Sequence, residues 1–130
     1  MITLALRTDK PEAELYVYAN SQQLAAIKWP AHLQLAETLN SEITEILNKS
    51  SISLDSIEAI AIYKGPGSFT GLRIGMSVAN ALAYAQNILI VARGGDDWLK
   101  NSIGALEAGS NDKVATPEYG SAAHITKPRK

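Results

Sequence analysis

The chain has 130 residues, 46% of them hydrophobic, which is enough for one domain with a buried core. A formal net charge of −1 gives no pointer to a nucleic-acid surface, and the lack of cysteine excludes disulfides and thiolate metal sites. No apolar run approaches the ~18 residues of a membrane helix, and the opening Met1-Ile2-Thr3-Leu4-Ala5-Leu6-Arg7 has the wrong charge order for a signal peptide, so a cytoplasmic location is expected.

Ile2 to Leu6 reads as a buried first strand. Lys10-Pro11-Glu12 marks a turn, Leu15 to Tyr18 a second strand, Asn20-Ser21 another turn, and Leu24 to Trp29 a third strand. Tight turns between the three predict an antiparallel meander. Pro30 then opens a helix expected over about residues 31–48, because Leu35, Ala36, Leu39, Ile43, Ile46 and Leu47 recur at three- and four-residue spacing. Near its start, His32 has the chemistry of a ligand or an acid–base group, but its position favours a surface or capping residue. His124 is far away, and no His-x-x-x-His pair exists to hold a metal.

The near-continuous apolar run Ile57 to Tyr63 predicts a strand buried on both faces. A helix is expected over about Thr70 to Gln86 and a strand over Ile88 to Ala92. Gly94-Gly95 reads as a turn, with Asp96 capping a short helix through Trp98 and Leu99. Beyond Lys100, glycine and small polar residues dominate and the last four residues are basic. That composition predicts a domain over 1–99 and a mobile tail over 100–130. The fold class is α/β, in the order β-β-β-α-β-α-β-α.

The most informative stretch is Lys64-Gly65-Pro66-Gly67-Ser68-Phe69-Thr70-Gly71-Leu72-Arg73-Ile74-Gly75, between a buried strand and a helix. Pro66 biases Gly65 away from the helical region, Gly67 is expected to adopt dihedrals closed to other residues, and Ser68 or Thr70 to cap the helix. The spacing fits neither a Walker A loop nor the dinucleotide fingerprint, whose third glycine position holds Thr70. The motif loop Gly65, Pro66, Gly67, Ser68, Phe69, Thr70 and Gly71, with the backbone N–H groups at the start of the helix and assisted by Arg73, is a candidate anion site. The alternative is a tight turn whose donors are satisfied internally. Along the helix, Arg73, Ser77, Asn80 and Tyr84 crowd into one polar sector, while Gly71, Gly75, Ala79 and Ala83 form a ridge of small residues. That ridge faces either a partner helix outside the chain or the chain's own sheet.

The stretch from Gly65 to Gly75 resembles the signature of the TsaB (YeaZ) family. The resemblance implies an actin-like (ribonuclease H-like) half with a five-stranded mixed sheet, and a non-catalytic scaffold subunit in the synthesis of threonylcarbamoyladenosine on tRNA. It implies docking of the helix pair on the catalytic subunit TsaD through Leu35, Leu39, Leu72, Gly75, Met76, Ala79 and Ala83, a homodimer through the same helices, and TsaE as a further member of the complex. ATP and Mg²⁺ are implied for that complex, with no cofactor assigned to this chain and tRNA its substrate only as part of the complex.

Several residues depart from the pattern. Related actin-like proteins end the first strand in Asp-Thr, where this chain has Arg7-Thr8; an arginine cannot coordinate Mg²⁺, and Asp9 is expected to point elsewhere. Asn80 stands where related helices carry Lys. Typical members continue into a second actin-like half, most of which this chain is expected to lack; Pro117-Glu118-Tyr119 is similar to a Pro-x-Tyr near the family's C-terminus. The competing reading is an actin-like nucleotide-binding enzyme or a peptidase-related protein, which needs a phosphate-gripping carboxylate, a metal pair or a base for Ser68.

Overall fold

In the computed structural model, β1 (Ile2–Arg7), β2 (Glu12–Ala19) and β3 (Gln22–Pro30) form the expected antiparallel meander. The structure describes residues 1–118; residues 119–130 and the side chain of His32 lie outside what it describes. On its other side β1 pairs in parallel with β4 (Ala59–Tyr63), which pairs in parallel with β5 (Leu89–Arg93), so the sheet order is β3-β2-β1-β4-β5. Parallel pairing requires crossovers. They are supplied by α1 (Leu35–Ser50) between β3 and β4, and by α2 (Phe69–Gln86) between β4 and β5.

Both helices lie on one face of the sheet, where Leu4, Leu6, Ile60, Ile62 and Ile90 meet Leu39, Ile46, Met76 and Ala79. α3 (Trp98–Glu107) covers the other face, where Ala5, Ala61, Tyr63 and Val91 meet Trp98 and Leu106. All five residues of β4 are buried, as a strand covered on both faces requires.

Two boundaries differ from expectation. Pro30 does not open the helix. It is the last residue of β3, opposite Glu12, and on this edge strand its missing N–H breaks no ladder bond. One 3-10 turn, His32–Gln34, intervenes before α1, which the bond from Trp29 Nε1 to Thr38 Oγ1 (2.9 Å) holds against β3. The second difference is α3, which crosses the boundary expected at residue 99 and runs on to Glu107. Trp98, Ser102, Ile103 and Leu106 are its buried positions, and Trp98 packs edge-on against Tyr63 with ring centres 5.8 Å apart. Residues 110–118 then return to the sheet and bury Ala115. The stretch 100–118 is thus tied to the core, and the rest of the expected tail lies outside the described residues. Among those residues no helix is long and apolar enough to cross a membrane.

Candidate functional site

β1 and β4 are parallel neighbours, so they end at the same edge of the sheet, and the loop from Lys64 to Ser68 lies beside the end of β1. Each glycine of the loop has its own reason. Gly65 takes φ +122°, precedes a cis peptide to Pro66, and has no side chain where the Glu118 carbonyl sits. Gly67 is different. It has no positive φ, so the expected dihedral reason does not apply; a Cβ there would stand 2.5 Å from Asp9 Cβ and Asp9 Oδ2. Glycine at 67 is required by close approach. Gly71 and Gly75 likewise leave room for Thr8, the first for its carbonyl and the second for its hydroxyl.

The small ridge of α2 therefore faces inward, onto the end of β1. Thr8 is 1% exposed and its hydroxyl donates to the Gly71 carbonyl at 2.8 Å. Asp9 does not point elsewhere. It is buried against Gly67, and its carboxylate accepts from Arg7 Nε at 2.8 Å and from Arg7 Nη2 at 3.4 Å. The Arg7 guanidinium also lies 3.9 Å from the centre of the Tyr63 ring, a cation–π contact, while the Tyr63 hydroxyl donates to the Pro66 carbonyl at 2.7 Å. Burial disfavours the Arg7 charge, but the hydrogen bond and charge of Asp9 outweigh it and raise its pKa. Nearby, Glu14 accepts from Lys10 Nζ (2.8 Å) and from the Tyr16 hydroxyl (2.6 Å). Burial and that bond to Glu14 push the Tyr16 hydroxyl well up.

Ser68 is the helix cap, its Oγ accepting from the Gly71 N–H at 3.4 Å. Arg73 lies over the Phe69 ring, 5.2 Å from its centre, on the outer side of α2. Thr8, Asp9, Lys10, Ser68 and Thr70 line a cleft of about 490 Å³ between the starts of α1 and α2. The Thr8 hydroxyl, the Asp9 carboxylate and the Lys10 ammonium, the groups that would grip a phosphate or its metal, are each already engaged by protein.

The residues expected at a partner interface are inside the chain's own packing. Leu35, Leu39, Leu72, Met76, Ala79 and Ala83 are at most 5% exposed, and Gly75 is buried against Thr8. The physical reason is that this sheet takes a helix pair on one face, and a ridge of small residues lets α2 come close to β1. What α2 presents outward is Phe69, Arg73, Ser77 and Tyr84, with Leu33 of the 3-10 turn beyond it; Tyr84 and Leu33 are 92% and 98% exposed. Asn80, expected in the outward polar sector, is half-buried and forms two hydrogen bonds with Ala115. The only sequence signal for that role was an asparagine where a lysine was expected.

A family model described as TsaD: tRNA N6-adenosine threonylcarbamoyltransferase matches residues 30–92. The tRNA threonylcarbamoyladenosine biosynthesis protein TsaB of Haemophilus influenzae is 41% identical over 49 residues, 38% of this chain and 21% of that protein. The tRNA N6-adenosine threonylcarbamoyltransferase of Geotalea daltonii is 44% identical over 55 residues, 42% of this chain and 16% of that protein. Among solved structures, YeaZ from Pseudomonas aeruginosa superposes with a TM-score of 0.69 at 25% identity, covering 84% of this chain and 50% of that one. Thermus thermophilus RuvC, in complex with a Holliday junction substrate, gives 0.53 at 12% identity, covering 92% of this chain and 85% of that one. The matched segments are small parts of the two curated relatives, and the chain spans half of the YeaZ chain. The actin-like (ribonuclease H-like) fold and the resemblance to TsaB (YeaZ) proteins are both borne out.

Proposed function

We infer that this chain, which resembles the TsaB (YeaZ) proteins, serves the synthesis of threonylcarbamoyladenosine on tRNA as a non-catalytic subunit docked on the transferase TsaD. The observation that carries the reading is the closed glycine loop. The residues of the family motif pack on Thr8 and Asp9, and the polar groups beside them are bound to one another rather than aimed at a ligand. A loop built that way supports a surface. The surface is the outer stripe of α2, Phe69, Arg73, Ser77 and Tyr84, continued by Leu33. Exposed aromatic and arginine side chains on one rigid helix are the residue types that anchor interfaces. TsaE, ATP and Mg²⁺ belong to the assembled complex in this reading, and tRNA is bound as its substrate.

The test is the mass, by light scattering, of the chain alone and mixed with TsaD of the same organism. The chain alone reads the homodimer; the mixture should add a heterodimer. Tyr84→Asp and Arg73→Glu should each abolish the heterodimer with an unchanged thermal midpoint. A mixture that stays as separate species, or variants that bind as well as the parent, would overturn the docking reading.

A second reading rests on the family model itself, which describes a transferase. Here the chain is an actin-like nucleotide-binding enzyme, with Thr8 and the glycine loop at the phosphates. Magnesium-dependent ATP hydrolysis that copurifies with the chain and vanishes in Thr8→Ala would favour it over the scaffold.

A further inference from the structure

The outer edge of β5 is covered by the chain's own residues 111–118, and the way it is covered is specific. The Asp112 N–H donates to the Ile90 carbonyl at 2.7 Å. The Ile90 N–H donates to Asn111 Oδ1 at 3.2 Å, and the Ala92 N–H donates to Asp112 Oδ2 at 2.8 Å. Arg93 Nη1 adds a 2.9 Å contact to the same carboxylate oxygen. An edge strand offers its free backbone groups to any extended chain. Here two side chains and one backbone amide take three of them.

The segment next passes α2. The Asn80 carboxamide donates to the Ala115 carbonyl at 3.0 Å and accepts from the Ala115 N–H at 2.8 Å. That two-bond exchange is the one an antiparallel strand residue would make, and Ala115 is 3% exposed beneath it. The last anchor is the Glu118 N–H, which donates to the Lys64 carbonyl at 2.6 Å, beside the side-chain-free face of Gly65. Between the anchors the segment buries little: Lys113, Val114 and Thr116 are exposed. A stretch held by hydrogen bonds and one buried alanine opens more readily than the strands it lies on. Gly109, at φ +87°, is the bend that joins it to α3.

We propose that the β5 edge, the Asn80 carboxamide and the Lys64–Gly65 backbone form a peptide-binding groove, and that residues 111–118 are its tethered ligand. The ligand class is a peptide with Asn-Asp for the edge amides, a tight turn directly after them (Lys113 at φ +70°, the Val114 N–H donating to the Asp112 carbonyl at 2.8 Å), a small residue three positions beyond the Asp under Asn80, and a backbone N–H three further on for Lys64. The groove takes one backbone bond on the β5 edge and reads the Asn-Asp side chains and the small residue. Because its last anchor is the residue before Gly65, occupancy of the groove and the start of the glycine loop are coupled.

The test uses the full chain with Asn111→Ala and Asp112→Ala together, which weakens the tethered ligand and leaves the groove intact. A fluorescent peptide of residues 110–118 is titrated against it and against the unaltered chain, with anisotropy as the readout. The double variant should bind the peptide about tenfold tighter or more, since its own segment has lost three competing hydrogen bonds. Adding Asn80→Ala should remove that binding. Equal affinity for both chains, or no binding by a folded double variant, overturns the proposal. Should the double variant fail to fold, hydrogen exchange of the unaltered chain decides. Amides of Ala92, Asp112, Ala115 and Glu118 exchanging together and faster than those of Leu4 and Ile60 support the groove; exchange only with global unfolding overturns it.

Discussion

Replacing Gly75 by alanine measures which way the small ridge of α2 faces. A Cβ at 75 would land on the Thr8 hydroxyl, and the Thr8 Cβ and Cγ2 would each lie 3.1 Å away. Thr8 is 1% exposed, so its side chain has nowhere to retreat, and its hydroxyl is committed to the Gly71 carbonyl. Displacing it forfeits a hydrogen bond worth about 1 kcal/mol and overpacks the contact by about 1–3 kcal/mol. Helix propensity returns about 1 kcal/mol, which leaves a net loss of roughly 1–3 kcal/mol and a fall of roughly 3–15 °C in thermal midpoint. The control is the same exchange in α3. A Cβ at Gly104 would meet nothing within 4 Å, so Gly104→Ala should gain ~0.5–1 kcal/mol. Both midpoints come from circular dichroism melts, with urea titrations for the free energies. The pair Thr8→Ala and Gly75→Ala should be non-additive, because removing the hydroxyl removes the obstacle. A Gly75→Ala chain that melts at or above the parent would refute the inward ridge.

Three further outcomes are expected. Asn80→Ala should cost about 1–3 kcal/mol in urea unfolding, because it strips both partners from the buried Ala115 backbone. Trp98→Ala should cost about 3–5 kcal/mol and open residues 98–118 to limited proteolysis, since Trp98 anchors α3 to Tyr16 and Tyr63; retained resistance would detach that helix from the core. Burial pushes the Glu14 carboxyl up, but the hydrogen bonds from Lys10 and Tyr16 outweigh it and hold its pKa below the ordinary 4.5. A depressed folded value means that Glu14 stabilises fully above the unfolded pKa and loses that contribution as pH falls through the folded one. Glu14→Gln should therefore weaken the chain at neutral pH and flatten its decline from about pH 4.5 downward; an unchanged acid limb in urea melts would contradict this.

The elements were legible where periodicity is local. The wholly apolar Ala59–Tyr63 reports burial on two faces without any knowledge of the partner, and the Leu and Ile spacing of Leu35–Ser50 reports one apolar stripe. α3 is longer than expected because the glycine and small polar residues beyond Lys100 read as a tail. The structure shows why Ser102 is tolerated there: its hydroxyl donates to the Trp98 carbonyl at 2.6 Å, so no polar group is left unsatisfied. At the site, periodicity marks a ridge of small residues on α2 but does not say what it faces. Deciding that requires Thr8 and Asp9, which are remote in sequence and adjacent only because β1 and β4 are parallel. Asn80 stands out as a departure from the family pattern, yet its partner Ala115 carries no signal of its own, since any residue supplies a backbone carbonyl and almost any a backbone N–H.

Arg7 decides how the glycine loop can be used. The arginine draws the neighbouring carboxylate of Asp9 onto itself and stacks on Tyr63. Both consequences act on the loop. Asp9, fixed in place, leaves room for no side chain at Gly67, and Tyr63 holds the Pro66 carbonyl. The loop is thus clamped at two successive residues by groups that share one cation. Removing that cation would leave the Asp9 carboxylate buried without its partner, and truncating one member of a buried pair costs more than the pair itself contributes. Loosening the clamp would therefore require more than a change at Arg7: Asp9 would have to leave as well, and with it the contact that makes glycine necessary at 67. The residues of the motif are tied together by packing, which holds the turn that launches α2 in one conformation.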